Sequence, residues 1–310
     1  MVIFIIFLFV NVFVTGVFMA VYGGKQSYSE GMLLGVHIPD YAARDADVDA
    51  LMETYSKRTK WFYFINFLIS AAICFLNFWY FSIFLIAWSL WLVELCGGAI
   101  WHLHGTHKKL YVLKMDRGWQ ADAKQISEDD DVYWKNGWYN NPNDKRLWVP
   151  DRFFPSNYST NMAKPAGKIF TFGLLGGTMV LLLILFVVFL RADFTPRYLE
   201  LRGNAAQISS PMSPITFELK DVKGFELLGK MPEGNFTRTN GLADDRQLVG
   251  KFQEKETGDY RMYVYKDCFP VLKIDLPGYT VLINSEKKGQ TESWYRKLAE
   301  RLPELAAGAE

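Results

Sequence analysis

Apolar positions along this chain are not evenly spread. They gather in three blocks, at 2–22, 61–101 and 169–190. A helix of roughly 20 apolar residues crosses the hydrocarbon of a bilayer, and a helix satisfies its own backbone groups there. The first block, Val2–Tyr22, predicts one such helix. It has no positive residues ahead of its apolar core and is longer than the core of a typical secretory signal, so it reads as a retained span. Asn11 and Thr15 stand four apart in it, which puts them on one face, against another helix. The second block is too long for one span and suits two joined by a tight turn. Asn77 with Phe78-Trp79-Tyr80-Phe81 is the place for that turn, because Asn and aromatics suit the interface. Helices are therefore expected over 61–77 and 82–102. The third block, Ile169–Leu190, predicts a fourth helix, in which Gly173 and Gly177 form a small-xxx-small pair that allows close helix approach.

Polar segments separate the blocks. Gly23–Lys60 is a loop in which Pro39 sets a turn, followed by a stretch of helical character with Val48, Leu51, Met52 and Tyr55 on one face. Ser127–Val132 reads as acidic and solvated. Trp134–Lys168 has almost no apolar periodicity. Asn140-Asn141-Pro142-Asn143-Asp144 is a run of turn formers, and Pro142 biases Asn141 away from helix. Trp134, Trp138, Tyr139 and Trp148 offer flat apolar area with polar tips, as in an interfacial belt. Arg146 and Arg152 are then suited to lipid phosphates. The alternative is a small structured loop that packs on helix ends and holds no ligand. Arg191–Pro214 reads as a linker. From Ile215 the pattern turns to short alternating runs, with strands expected at Thr216–Val222, Phe225–Leu228, Gln247–Glu254, Tyr260–Tyr265, Val271–Asp275 and Thr280–Asn284. Gly224, Gly229, Gly241, Gly250, Gly258, Pro270 and Gly278 punctuate them. Trp294, Leu298 and Leu302 recur at helical spacing and close the chain with an amphipathic helix. Strands followed by one such helix indicate a small β-barrel or sandwich with a helical plug.

Composition narrows the function classes. Half of the 310 residues are hydrophobic (50%), and the formal net charge is +1, which argues against a nucleic-acid binder. Cys74, Cys96 and Cys268 are too far apart for a disulfide framework or a cysteine-based zinc pattern. Positive charge sets orientation. Loop 23–60 holds five Lys or Arg (Lys25, Arg44, Lys57, Arg58, Lys60), segment 102–168 holds eleven, and the N-terminus and the turn near Phe78 hold none. Positive loops stay cytoplasmic. With four spans, the N-terminus and the C-terminal domain face outward.

Candidate chemistry is sparse. Glu94 lies within a predicted span, where ionisable residues mark functional sites by default. Set near the cytoplasmic end of the span, it would be an ordinary near-surface carboxylate. With Asn66, Asn77 and Gly97-Gly98 it supports a small transporter. His102, His104 and His107 suggest a metal at first sight, but His102 points away from the other two at helical spacing and no ligand set follows. They read as a basic interfacial helix end. No nucleophile–base pair or metal constellation stands out, which excludes an obvious enzyme.

Some of these residues carry a resemblance. Trp134, Gly137, Tyr139, Asn141-Pro142, Asp144, Arg146, Val149-Pro150 and Arg152 fit W-x-x-G-x-Y-x-N-P-x-D-x-R-x-x-V-P-x-R, closed by Asn161, Ala163, Pro165 and Gly167. This is similar to a bacterial domain of unknown function that precedes a membrane helix. Gly35-Val36-His37-Ile38-Pro39, the Asp-rich helix, Tyr55 and the hairpin resemble membrane proteins related to the Sdp-type immunity family. Thr239-Asn240-Gly241, Gly250-Lys251-Phe252, Ile283-Asn284 and Thr291 ahead of Trp294 resemble a bacterial pleckstrin-homology-like domain. The likeness transfers a layout and no catalytic residue, and of the histidines of 102–107 only His107, before Lys108-Lys109, maps onto it.

The expected architecture is therefore a membrane α-helical protein of about four transmembrane helices with a C-terminal β-rich pleckstrin-homology-like barrel closed by a helix. Its expected divisions are a three-helix region over 1–130, the aromatic and Arg segment over 131–168, the fourth span over 169–190, a linker over 191–214 and the C-terminal domain over 215–310. The expected role is non-enzymatic and without cofactor or metal: envelope sensing, signalling or antimicrobial-peptide immunity at a bacterial cell membrane. Membrane lipids, an unidentified membrane or envelope protein and further copies of the chain are the partners that fit, with no nucleic acid. Glu94, Trp134, Tyr139, Asn141, Arg146, Arg152 and Asn161 are the candidate interaction residues.

Overall fold

The computed structural model describes residues 2–24, 26–120, 129–154 and 157–306. Lys25 and Lys124 of the charge count, and Ser127 and Glu128 of the acidic segment, lie outside the described residues. The chain divides into two compact units, one made of Val2–Asn77 with Ile83–Phe186, the other of Phe78–Ser82 with the residues from Val187 onward.

Helices α1 (Val2–Tyr22), α2 (Ala46–Cys74), α3 (Phe81–Arg117) and α4 (Pro165–Phe194) are each long and apolar enough to cross a membrane. In the first unit, Asn11 of α1 is fully buried and ties three helices together. Its Nδ2 donates to the Ser70 carbonyl (3.1 Å) and to Cys74 Sγ (3.2 Å) of α2, and its Oδ1 accepts from Trp88 Nε1 of α3 (2.8 Å). Thr15 is buried on the same face, as its spacing implied. Thr15 Oγ1 has no hydrogen-bond partner among the described residues, so Asn11 is the polar side chain that joins these helices.

Two helices are longer than the expected spans. α2 begins at Ala46 instead of near Trp61, capped by Asp45, whose side chain accepts from the Asp47 amide (2.9 Å). No Gly or Pro separates the amphipathic stretch from the apolar run, so one helix carries both. α3 likewise runs through the histidines to Arg117, and only Gly118, with φ +64°, stops it. At 1.5 Å per residue these helices extend about 44 and about 55 Å, well beyond the roughly 30 Å of a hydrocarbon core. Their surplus lies at the N-terminal end of α2 and the C-terminal end of α3, where Val48, Met52 and Tyr55 pack against Leu103 and Leu110. The turn between them is a 3-10 stretch over Phe75–Phe78, where aromatics and Asn77 were expected.

Two short hairpins complete this unit: β1 (Met32–Leu33) with β2 (Val36–His37), and β3 (Trp148–Pro150) with β4 (Tyr158–Thr160). The first turns through Leu34 and Gly35, both at positive φ (+47° and +70°), as a two-residue primed turn requires. A Cβ on Gly35 would meet Arg152 Cγ and Phe153 Cε1 at 3.1 Å, so conformation and space both favour glycine.

The second unit holds two sheets. β5 (Tyr198–Arg202), β6 (Ala205–Ser209) and β7 (Ile215–Glu218) form an antiparallel three-stranded sheet. The six-stranded sheet comprises β8 (Gly224–Leu228), β9 (Thr237–Ala243), β10 (Gln247–Glu254), β11 (Gly258–Tyr265), β12 (Val271–Leu276) and β13 (Tyr279–Ile283). Its order is β8-β12-β13-β11-β10-β9, with only β11 and β13 parallel. α5 (Gln290–Arg301) and α6 (Pro303–Ala306) follow.

Period-two alternation buries both faces of the larger sheet. Tyr263, Ile274, Val281 and Ile283 face a core completed by β5–β7 and by Trp294 and Leu298 of α5. Tyr260, Met262, Val264 and Leu282 face a second cluster that includes Phe236.

The differences from expectation in this unit are physical. The stretch 191–214 is not a linker: Leu199, Ala206 and Ile208 alternate into the core from β5 and β6, while the prolines and serines that suggested a linker lie in the turns around them. β9 was missed because Thr237–Asn240 is polar and exposed. Gly241, read as punctuation, sits inside β9 opposite Gly250 of β10, with φ +131° and +121°. A Cβ on Gly241 would lie 2.0 Å from the Val249 carbonyl oxygen, so the two backbones approach where neither residue has a side chain. The six strands form an open sheet with β8 and β9 at its edges, not hydrogen-bonded to each other.

Trp294 is 2% exposed at the centre of this core. Trp294→Ala is expected to destabilise the second unit by about 3–5 kcal/mol. Limited proteolysis of the full chain should then cut within the residues from Val187 onward, while the α1–α3 fragment stays protected.

Candidate functional site

The largest concentration of buried charge lies at the surplus ends of α2 and α3. Leu103, His107, Leu110 and Lys114 of α3 recur at four, three and four residues, which places them on one helical stripe, and all four are buried. Facing the stripe are the β1–β2 hairpin and the segment from Asp129. Asp131 opens a 3-10 turn, Asp131–Tyr133, and is 2% exposed. The segment expected to be acidic and solvated thus carries, in its described part, the most enclosed carboxylate of the unit.

Asp131 is held on both oxygens. Oδ1 meets His37 Nδ1 at 2.8 Å and Arg152 Nη1 at 2.5 Å; Oδ2 accepts from Lys114 Nζ at 2.7 Å and from the His37 amide at 3.0 Å. Lys114 also donates to Asp129, and Arg152 to Asp130 and to the Gly35 carbonyl (3.2 Å). The Lys114 and Arg152 side chains are only 4% and 6% exposed, so these pairs are shielded from solvent. Arg152 stacks over the Trp134 ring at 5.2 Å. Burial pushes the Asp131 pKa up, but the His37 and Lys114 hydrogen bonds and the Arg152 and Lys114 charges outweigh it and hold the carboxyl at about 2.

His107 adds a second clamp. Its Nδ1 faces the Leu34 carbonyl and its Nε2 the Trp134 carbonyl, each at 2.8 Å. A neutral imidazole carries one N–H, so the ring donates to one of the two carbonyls at a time. The Leu34–Gly35 turn is thereby gripped at one carbonyl by His107 and at the next by Arg152. His104 stacks beside Trp138 and Phe153, and His102 beside Phe62 and Trp101. The three histidines do not converge, and two of them bind the following segment to α3 rather than forming an interfacial helix end.

The group His37, Asp129 and Asp131 brings ligand atoms within 4.8 Å of one another. Its donors do not suit a cation, because Lys114 and Arg152 already occupy the carboxylates a metal would need, and like charge would repel it.

The described residues of 134–163 form a structured knot. Trp134, Tyr139 and Val149 form its core. Asn161, fully buried, donates from Nδ2 to the Asn141 carbonyl (2.7 Å), and its Oδ1 accepts from the Asn141 and Ala163 amides (3.1 Å each). Asn141 Oδ1 accepts from the Asn143 amide (2.9 Å), closing an Asx turn. Tyr139 donates to Asp144 (2.8 Å), and exposed Arg146 pairs with the same carboxylate (2.7 Å).

Of the seven candidate residues, the structure brings six into or onto this assembly. Trp134 and Arg152 sit at the Asp131 cluster, and Tyr139, Asn141, Arg146 and Asn161 build the knot. Arg152 is buried against carboxylates, so it is not free for lipid phosphate, and Trp134 and Tyr139 pack inward rather than forming a belt. Trp148 remains half-exposed, edge-on to Phe170 of α4. Glu94 is elsewhere, on an exposed face of α3. His37, Lys114 and Asp131 were missed. The stripe of Leu103, His107, Leu110 and Lys114 was the signal for Lys114; His37 stood only in the Gly35–Pro39 motif, with no role attached, and nothing local marked Asp131.

No family model, curated protein or solved structure matches this chain. The site therefore stands on its own geometry.

Asp131→Asn removes the charge that Lys114 and Arg152 share and leaves two buried cations. It is expected to cost about 3–5 kcal/mol and to lower the melting temperature of the detergent-solubilised protein clearly more than Asp129→Asn, since Asp129 is 36% exposed. Acid dependence follows in sign. The folded pKa of Asp131 lies below its ordinary 3.8, so its contribution is complete above about pH 4 and is lost as pH falls toward 2. Thermal melts between pH 2 and 5 should show this loss in the wild type and a flatter profile in Asp131→Asn.

Proposed function

We propose that this chain is a non-enzymatic integral membrane protein of the bacterial envelope, with the basic loops 23–60 and 102–168 on the cytoplasmic side and the N-terminus and the C-terminal unit outside. Four helices of membrane-crossing length and composition support insertion. The positive loops 23–60 and 102–168 support the orientation. The observation that carries the non-enzymatic reading is the saturation of the Asp131 cluster. His37, Lys114, Arg152 and Asp131 bind each other at hydrogen-bond distance, and no accessible nucleophile–base pair remains among the described residues of that site.

Such a cluster fixes the hairpin, α3 and the knot as one body, which suits transmission of contacts rather than turnover of a substrate. The two-sheet C-terminal unit with its packed helix is compatible with a pleckstrin-homology-like module. The hairpin motif supports relation to the Sdp-type immunity proteins. On this reading the protein senses, signals or protects against antimicrobial peptides through protein or lipid contacts, and self-association remains open to it.

A second reading, a small transporter built on Glu94, has one observation for it: the carboxylate lies in the apolar stretch of α3. Against it, Glu94 faces outward from the helix packing, and Asn66 Nδ2 bonds its own helix at the Phe62 carbonyl (3.1 Å) rather than lining a path.

The deciding experiment is labelling with a membrane-impermeant thiol reagent on intact cells, with Cys74 and Cys96 replaced by Ser and a Ser285→Cys reporter in the C-terminal unit. Labelling from outside is expected; labelling only after lysis would reverse the orientation and make that unit an intracellular adaptor. Challenge of the same cells with a cationic antimicrobial peptide is expected to show a survival advantage that Asp131→Asn abolishes. Turnover of a substrate by purified protein, or proteoliposome flux abolished by Glu94→Gln, would overturn the non-enzymatic, non-transporting reading.

A further inference from the structure

The second unit contains a cavity of about 670 Å3, within the range of small-molecule sites. It is lined by the end of α4, by Tyr80 of the turn that belongs to this unit, by β5, and by the loop entering α5. At its wall stands Arg197, 2% exposed, with its guanidinium stacked 4.1 Å over the Tyr265 ring. One of its nitrogens, Nη2, donates to Gln247. The other two, Nε and Nη1, are buried without any hydrogen-bond partner. A buried donor left unmet is costly, more so when it is charged.

Nearby carboxylates do not meet it. Asp193 accepts from the Ser82 amide and from Gln247 Nε2 (2.8 Å each), Glu200 pairs with Arg202 (2.9 Å), and Glu286 pairs with Arg246. Asp244 accepts from the Arg246 and Gln247 amides (2.8 Å each). Burial pushes the Arg197 pKa down, and Tyr265, Asp244, Glu286 and Asp193 only partly oppose this from a distance, without filling its donors. The same cavity is lined by Lys287 and Lys297, both exposed and with no carboxylate on their ammonium groups among the described residues. The N-terminus of α5, whose cap Gly289 offers no side-chain acceptor, follows the loop of Ser285 and Lys287. The acids of the cavity are engaged, and the unfilled capacity belongs to donors.

We propose that this cavity binds a phosphoryl anion, with Arg197 as the buried donor and Lys287 and Lys297 as the exposed cations. Arg and Lys together suit phosphate oxygens. The size leaves room for a substituted phosphate beyond a bare ion. The apolar run of α4 stops at Leu190, one helical turn before the cavity wall at Asp193 and Phe194, which is the level a phospholipid headgroup would reach. Free phosphate offers the same chemistry. The proposal concerns this unit alone and does not depend on the sensing role.

The test uses the full chain in detergent, with two probes: phosphatidylglycerol against phosphatidylcholine, and inorganic phosphate, each read by quenching of tryptophan fluorescence and by native mass spectrometry. Preferential binding of phosphatidylglycerol that phosphate does not displace identifies the lipid source. Binding of phosphate that competes with the lipid identifies the free anion. Either supports the site, provided Arg197→Gln weakens it by roughly tenfold or more, as loss of a charge-assisted bond implies. Lys287→Gln with Lys297→Gln alters only exposed residues and is expected to weaken binding by about threefold. No binding of either probe, or unchanged affinity in a folded Arg197→Gln, would overturn the proposal. If Arg197→Gln does not fold, unchanged affinity in the double lysine variant overturns it.

Discussion

A single buried carboxylate constrains the first unit. Asp131 has no compensation from water, so it exists there only because Lys114 and Arg152 reach it from two different parts of the chain and His37 from a third. The dependence is mutual: each cation is as enclosed as the acid, and removing any one member strands the others. Lys114 is fixed by α3, His37 by a two-residue hairpin, and Arg152 by the strand that precedes it. Three elements with little regular structure between them thereby acquire one relative geometry. The positive φ of Leu34, unfavourable for a branched residue, persists in that setting because its carbonyl is held by His107 and the next by Arg152.

Helix length makes this arrangement possible. An α3 that ended where its apolar run ends, at Trp101, would present neither His107 nor Lys114. Its continuation, and the early start of α2, build a two-helix platform on which the hairpin and the knot sit. Within the knot the logic changes from charge to neutral hydrogen bonding. Asn161 meets the backbone of Asn141 with both ends of its amide, as a strand partner would, and so closes a loop that has almost no strand of its own. Buried polar groups of this kind are tolerated only when fully paired. In the second unit Gln247 and Asp244 obey this rule, and Arg197 breaks it with a charged group.

Much of the fold was legible from local pattern. Four apolar helices, the aromatic turn at Phe78, the buried face of Asn11 and Thr15, the strand at Gln247–Glu254 and the docking stripe of Trp294 and Leu298 all follow from spacing, because each is set by residues within a few turns of one another. What was misread shares a reason. β5 and β6 were hidden by flanking prolines and serines, and β9 by a polar sequence that pairs only because β10 supplies its partner. The candidate site was half legible. Asn141 announces a turn through its own chemistry, but Trp134 and Tyr139 read as an interfacial belt, Asn161 enters only through the resemblance, and Arg146 and Arg152 look alike in sequence although only one of them is buried.

The sequence by itself determined where apolar surface lies and where the aromatic turn at Phe78 falls, since these depend on hydration and backbone sterics along a short stretch, whereas the full lengths of α2 and α3 did not follow from it. Only the tertiary structure decided that Asp131 is enclosed while Asp129 beside it is partly exposed, that the His107 ring lies between two carbonyls, and that Arg197 keeps two donors unmet. Those outcomes depend on groups brought together from 15 to 117 positions apart, and the energy of a charge is set by what surrounds it rather than by its neighbours in the chain.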